Sequence, residues 1–237
     1  MFKYIAYPIS GLTAGFAGAV VYGVSYSSSV QRNDLGLPPS LYDFGSKRKD
    51  GRVPKVFLDG YSYRVNVPKS LKLSKEEVTT QFARSFFTSS VFSLERKILS
   101  YALGTDQTDD EILELDFKSP RETKIAGAFT LETRDECNAI FAWSHDGFSG
   151  KTLVGVSEVE LNEFQSPDTF MDEYELRFAS SVLMDGFQND PLRKASFSFM
   201  TPFHRIYSRV LLKDGAASFQ KWIEEKEVEA FKKQHQL

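Results

Sequence analysis

The sequence predicts an α+β protein, with helices and an antiparallel sheet behind an N-terminal transmembrane helix, and three observations support this fold class. An uncharged run from Tyr4 to Gln31 has an apolar centre, Ile5 to Tyr26, about as long as a bilayer-spanning helix requires. The spacing of apolar residues changes from about 3.6 to about 2 near Lys124, and a helical stripe returns after Thr201.

The predicted membrane anchor covers residues 1–28 and carries closely spaced small residues. Gly11 and Gly15 form a GxxxG pattern, and Gly18 repeats that spacing with Ala14. Such a face lets another helix backbone approach closely, which predicts a transmembrane helix partner or a homodimer. A cleaved secretory signal and a buried helix of a soluble domain are the alternatives, although the apolar run is long for a signal peptide.

We expect a single-pass membrane protein, in a mitochondrial membrane rather than the endoplasmic reticulum. The sequence has no clean secretory cleavage site, and one cysteine, Cys137, does not indicate an oxidising exterior. An amphipathic mitochondrial presequence would contain arginine, but none precedes Arg32, so the anchor would stay uncleaved.

Behind the anchor, residues 29–54 are predicted as a linker because Pro38, Pro39 and the charged segment SKRKDGR interrupt any apolar period. The folded domain is predicted over residues 55–214. It opens with a strand, VFLDGYSYRVNV, in which apolar residues alternate around Asp59 and which ends at Pro68.

Helices follow this strand. Ser74 and Glu77 have capping-box spacing at the start of the first helix. The second begins at Ser89 or Ser90 and stops at Gly104, with Val91, Leu94, Ile98 and Tyr101 on one side. Capping-box spacing recurs at Thr108 and predicts a short third helix.

Four consecutive strands are predicted from the segments KIAGAFTLETR, CNAIFAWSH, KTLVGVSEVEL and EYELRFASSVLM, with HDGFSG as a tight turn. Thr201 and Pro202 have the types expected at the start of the last helix, which carries an apolar stripe. Beyond Gly215, residues 215–237 form a charged helical extension expected on the surface or against a partner.

This order of elements resembles the START-like helix-grip (SRPBCC) superfamily over residues 56–213. The segments FFTSSVFSLER, RFASSV and FHRIYSRVLL are also similar to segments of small uncharacterised bacterial proteins, and they name no reaction. The resemblance implies a curved antiparallel sheet wrapped on the long last helix with a cavity between them. Because many members of the superfamily bind lipids, sterols or quinones, it also implies an apolar ligand.

Composition excludes several kinds of site. The formal charge of −3 and the lack of a basic stripe argue against nucleic acid. His145, His204 and His235 lack metal-ligand spacing, so we predict no metal, and the absence of phosphate-binding and dinucleotide motifs predicts no cofactor. His145 beside Asp146 is interpreted as part of a turn, and Cys137 as a structural thiol.

Aromatic residues are abundant and provide the candidate ligand site. With 21 Phe, 10 Tyr and 2 Trp in the chain, many inward positions are aromatic. Either these residues fill the core, or they line an apolar pocket with a polar anchor at Arg177 or His204. The candidates are Phe82, Phe86, Phe129, Phe141, Trp143, Arg177, Phe178, His204 and Tyr207.

Two functions follow from these patterns. In the first, the tethered domain binds an apolar ligand, lipid or quinone-like, at the membrane surface. In the second, it is a non-enzymatic scaffold or assembly factor that acts through the Gly-rich helix and the C-terminal helix. Binding predicts a continuous cavity, and a scaffold predicts a filled core. An enzyme is less favoured and would require a titratable group beside His204.

Overall fold

The computed structural model describes residues 22–44, 56–145, 148–159, 170–183 and 191–235, without the side chains of 145, 148 and 191–200. Within these ranges, no helix is both long and apolar enough to cross a membrane. Most of the predicted anchor, with Gly11, Gly15 and Gly18, lies outside the described residues.

A seven-stranded antiparallel sheet is the centre of the fold, and its strand order is β1-β2-β7-β6-β5-β4-β3. Long strands form its middle and two-residue strands its edges. The strands are β1 (Gln31–Arg32), β2 (Val56–Pro68), β3 (Lys124–Ile125), β4 (Phe129–Arg134), β5 (Asn138–His145), β6 (Phe148–Glu158) and β7 (Met171–Leu183).

Besides the helical residues 22–26, the described ranges contain the helices α1 (Lys75–Phe87), α2 (Ser90–Leu103), α3 (Asp109–Glu114) and α4 (Pro191–His235). The predicted helix starts are confirmed, because Ser74 and Thr108 form capping boxes and Ser89 caps α2. The predicted stop at Gly104 is also confirmed, since this residue has a left-handed φ of 68° at the end of α2.

The main core lies between the inner face of the sheet and helices α1 and α4. It is built from phenylalanines that are almost fully buried and meet mainly edge to face: Phe82, Phe86, Phe87, Phe92, Phe141 and Phe219. Such pairs add stability beyond the area they bury. The predicted α+β architecture, with an antiparallel sheet against a long C-terminal helix, is therefore confirmed.

One predicted strand is a hairpin. The segment KIAGAFTLETR forms β3 and β4, which pair Ile125 with Phe129. Ala126 and Gly127 between them have φ values of 53° and 65°. A left-handed backbone at two consecutive residues reverses the chain, which the alternation of apolar residues does not reveal.

The last helix starts before the predicted Thr201, because α4 begins at Pro191 and continues through Pro202, and the predicted helical extension beyond Gly215 is part of the same helix. Proline suits a helix start, and inside a helix it removes one hydrogen bond and crowds the carbonyl four residues earlier, so α4 remains continuous at Pro202 against the local preference of this residue. At Gly215 a Cβ atom would lie 2.9 Å from Cδ2 of Phe86 and 3.1 Å from its Cα. This glycine therefore permits close packing of α4 on α1.

The apolar side of α2 that the sequence indicates points partly outward. Leu94, Ile98 and Tyr101 are 63%, 64% and 95% exposed, whereas Phe92 and Arg96 are buried. The spacing of three and four residues was correct for one helix face. It did not show which face packs on the protein.

Part of the predicted linker packs on the outer face of the sheet. Leu37 and Leu41 are buried there in a second, smaller cluster with residues of β5, β6 and β7. Lys151 of β6 donates to the carbonyls of Ser40 and Asp43 at 2.9 and 2.8 Å and pairs with Glu132. Residues 30–44 thus belong to the folded domain, and 45–55 lie outside the described residues.

Candidate functional site

An apolar cavity of about 390 Å³ lies between α2, the middle of α4 and the inner face of the sheet. Its walls combine aromatic and aliphatic side chains from these elements and from the end of α1: Phe86, Phe92, Leu99, Phe129, Trp143, Phe178, Val182 and Leu211. Ligand sites are typically concave, mostly apolar and of about 300–1,000 Å³. The cavity therefore has the size and lining of a small-molecule site.

A hydrogen bond between Glu95 and Tyr207 bridges the two helices at the cavity. The Tyr207 hydroxyl donates to Oε2 of Glu95 over 2.5 Å, and both residues line the space. Burial raises the pKa of Glu95, although the bond from Tyr207 and the proximity of His204 oppose this. Burial, reinforced by the Glu95 charge, also raises the pKa of Tyr207.

His204, one turn before Tyr207 on α4, lies between the cavity and a buried carboxylate. Its Nε2 is 3.7 Å from Oδ1 of Asp59 on β2 and 3.4 Å from Oγ of Ser208. The edge of the Phe57 ring packs against the imidazole at 5.9 Å between centroids. These contacts orient the ring.

Asp59 is fully buried and only partly satisfied. Its Oδ2 accepts a 3.4 Å bond from the Tyr61 hydroxyl, whereas Oδ1 has no hydrogen-bond donor among the described residues. Burial, followed by the Asp59 charge, raises the pKa of Tyr61. Because an unpaired buried carboxylate is costly, a protonated His204 would be its natural counter-ion.

Several polar side chains that can exchange protons or form hydrogen bonds line the otherwise apolar cavity. Glu95 and His204 can accept or donate protons, and the hydroxyls of Thr152, Ser180 and Ser208 add hydrogen-bonding capacity. The site can therefore fix the polar end of a mostly apolar molecule. The titratable groups that the enzyme alternative required beside His204 are present.

The structure brings six of the nine candidate residues together around this cavity: Phe86, Phe129, Trp143, Phe178, His204 and Tyr207. Phe82 and Phe141 lie elsewhere in the core, in contact with Phe219 and Phe117 respectively. These two residues therefore fill the core rather than line a pocket.

Arg177 lies on the outer face of the sheet, which corrects its assignment to the cavity. Its guanidinium donates to the carbonyls of Gly36 at 2.9 Å and Leu35 at 3.4 Å. Adjacent strand residues point to opposite faces, so the inward position of Phe178 directs Arg177 outward. This arginine helps to hold residues 35–36 on the sheet.

Among the titratable groups at the site, sequence reasoning missed Glu95, which lines the cavity, and Asp59, which contacts His204. A signal for Asp59 existed, because it shares the inward alternation of Phe57 and Tyr61 on β2, and a carboxylate there must be buried. No comparable signal marked Glu95. It borders the apolar side of α2 that contains Val91 and Ile98, where a charged residue is expected at the edge of the stripe.

The other two candidates for chemistry lie away from the cavity. Cys137 is half-buried before β5, and burial raises the pKa of its thiol, which disfavours the reactive thiolate. His145 pairs with Phe148 across the predicted tight turn, and Asp146 lies outside the described residues. The described residues contain no group of three His, Cys, Asp or Glu suited to a metal ion.

No protein-family model matches this sequence, and none of the curated proteins shows significant similarity to it. The interpretation of the site therefore depends on its own geometry.

Proposed function

We propose that the protein is a membrane-anchored domain that binds an apolar ligand, lipid or quinone-like, at the membrane surface. The observation that carries this proposal is the cavity of about 390 Å³ with apolar walls and a polar region at Glu95, His204 and Tyr207. A scaffold has no need for such a space. The cavity therefore favours ligand binding over the scaffold alternative.

The topology supports the same proposal. Seven antiparallel strands pack against a long last helix, which is compatible with the helix-grip arrangement that the sequence resembles. We propose that the chain is a member of the START-like superfamily and that its cavity corresponds to the ligand space of that fold. Fold alone does not establish a ligand, so the lining residues remain the main argument.

Two further contacts support a position at the membrane. The helical residues 22–26, which end the predicted anchor, lie against α4, where the Arg209 side chain donates to the Ser27 carbonyl at 2.9 Å. Arg209 is within one turn of Tyr207 but faces another side of α4, so the anchor would join the domain at the same level of α4 as the cavity, on a different side of the helix. The exposed Leu94, Ile98 and Tyr101 of α2 would contact lipid there.

The test is native mass spectrometry of the full chain, released gently from its own membranes, followed by identification of any retained molecule. We expect a stoichiometric apolar ligand. Leu99→Trp should abolish retention by filling the cavity, and Leu94→Trp on the exposed face of the same helix is the matched control. An apo mass with no uptake of added membrane lipids would contradict the proposal.

Acid–base catalysis on the bound molecule is a second candidate function, favoured by the convergence of His204, Asp59 and Glu95. His204 would transfer a proton to or from the ligand, and Asp59 would orient it. Incubation of the isolated ligand with fresh protein would then change the ligand chemically, and His204→Gln would stop conversion without abolishing binding. Recovery of unaltered ligand would contradict catalysis.

A further inference from the structure

The cavity has a distinctive charge balance. Glu95 is the only carboxylate that lines it, and no Lys or Arg side chain does so within the described part of the chain. Lys213 of α4 donates to the Tyr63 hydroxyl, and neither residue is part of the lining. A negatively charged head group would therefore find no lysine or arginine among these lining residues.

His204 does not change this balance, because its positive form would already face a negative partner. Its Nε2 lies 3.7 Å from the fully buried Asp59, whose Oδ1 has no other described donor. A protonated His204 would be neutralised by Asp59, and a neutral His204 carries no charge. In both states Glu95 leaves the polar region without a net positive charge.

Glu95 has one acceptor atom available to a ligand. Oε2 receives the Tyr207 hydroxyl, whereas Oε1 has no donor among the described residues. A carboxylate oxygen in an apolar cavity is stabilised by a hydroxyl or ammonium donor and repels another anion. The arrangement thus selects the charge of the ligand as well as its apolarity.

We infer that the ligand carries a hydrogen-bond-donating head without negative charge, a hydroxyl or an ammonium group, which donates to Oε1 of Glu95, and that carboxylate- and phosphate-headed lipids are excluded. This inference rests on the proposed function and specifies its ligand class. The apolar body would lie against Phe129, Trp143 and Phe178.

The test compares lauryl alcohol, lauryl amine and lauric acid, which share one chain and differ in the head. Binding to the full-length protein is measured by isothermal titration under mildly alkaline conditions, where the acid is ionised. We expect the alcohol and the amine to bind at least about tenfold more tightly than the acid, a gap of roughly 1.4 kcal/mol. In Glu95→Gln the amine should lose its advantage and the gap to the acid should shrink.

Glu114→Gln is the control, because it removes the same charge from an exposed position on α3. It should leave the order of the three probes unchanged. If lauric acid binds as tightly as the alcohol, or if Glu95→Gln leaves the affinity gaps to the acid unchanged, the head-group inference fails while ligand binding stands. If no probe and no membrane lipid binds, the proposed function itself fails.

Discussion

The two ends of the interface between α4 and the sheet differ in how they are filled. At one end, which we call the closed end, Phe82, Phe86, Phe219 and Gly215 bring α4 into direct contact with α1. At the other, the open end, α4 faces α2 across the cavity with His204 and Tyr207. The same helix thus provides both dense packing and a ligand space.

Residue size and polarity explain why one end of this interface is densely packed and the other end encloses a cavity. Small residues on α4, Gly215 and Ala216, let the closed end pack to the density of an ordinary core. At the open end, polar side chains bond to each other across the gap, as Tyr207 does to Glu95, so the gap keeps a polar region. We expect stability to depend mainly on the closed end and binding on the open end.

The sharpest test of this division compares two phenylalanines. Phe82→Ala should lower the free energy of unfolding by about 3–5 kcal/mol, because Phe82 is fully buried at the closed end. Phe129→Ala, at the half-buried cavity wall, should cost about 1–2 kcal/mol and weaken ligand binding. Urea denaturation gives the first quantity and calorimetric titration the second. Equal losses of stability would remove the distinction between the ends.

The second largest effect is expected when a side chain is added at Gly215, where α4 packs on α1. Gly215→Leu should destabilise the protein by about 1–3 kcal/mol, since its side chain would overlap Phe86. Ala217→Leu, two residues away on the exposed side of α4, is the control and should stay within about 0.5 kcal/mol of the parent. Similar denaturation midpoints for the two variants would show that α4 can move away from α1 without loss.

The closed end also carries a capping contact between α4 and α2. The Val91 amide donates to Oδ2 of Asp214 at 2.7 Å, so a residue beside Gly215 satisfies the first turn of α2. Asp214→Ala should cost about 1 kcal/mol, the usual effect of a lost helix cap. Asp214→Asn, which keeps an acceptor oxygen, should retain most of the stability in the same denaturation assay.

The smallest expected change in the free energy of unfolding is for Glu95→Gln at the open end, and this substitution should stabilise the protein rather than destabilise it. Burial raises the pKa of Glu95 in the folded protein, so the folded state binds a proton more readily than the unfolded chain. The free energy of unfolding therefore falls as pH rises through the window from the ordinary glutamate pKa to the raised one. Above that window, Glu95→Gln should be more stable than the parent by about 0.5–1 kcal/mol.

Below the ordinary glutamate pKa this advantage should vanish, because both residues are then neutral. Denaturation at a series of pH values measures the difference. A parent protein more stable than Glu95→Gln at neutral pH would show that Glu95 stabilises the fold rather than the bound ligand.

Local patterns were sufficient to predict most of the elements. The capping residues Ser74, Ser89 and Thr108 start helices as expected, because a cap is satisfied by residues a few positions away. Predictions that depended on the tertiary environment were less successful. Gly215 has the residue type of a stop signal, yet its role is set by Phe86, which is distant in sequence.

For the candidate site, too, local patterns predicted which residues point inward but not which of them surround a cavity. Inward strand positions such as Phe129, Trp143 and Phe178 follow from alternation, and Tyr207 follows from the helical stripe. Whether aromatic residues surround space or fill it depends on distances between layers, which alternation does not encode. Phe141 and Trp143 illustrate the limit, since they alternate on the same strand, β5, yet Phe141 fills the core and Trp143 lines the cavity.

The length of α4 has a consequence for the dynamics of its end. Beyond Ile223 the helix continues to His235, about 18 Å at 1.5 Å per residue, and Val228 and Phe231 there are more than half exposed. Local pairs such as Lys226 with Glu229 hold these turns, and short helices are marginal in water. Amide hydrogen exchange should therefore accelerate steadily from Phe219 to the end of the helix, and this gradient would mark where tertiary structure stops protecting the backbone.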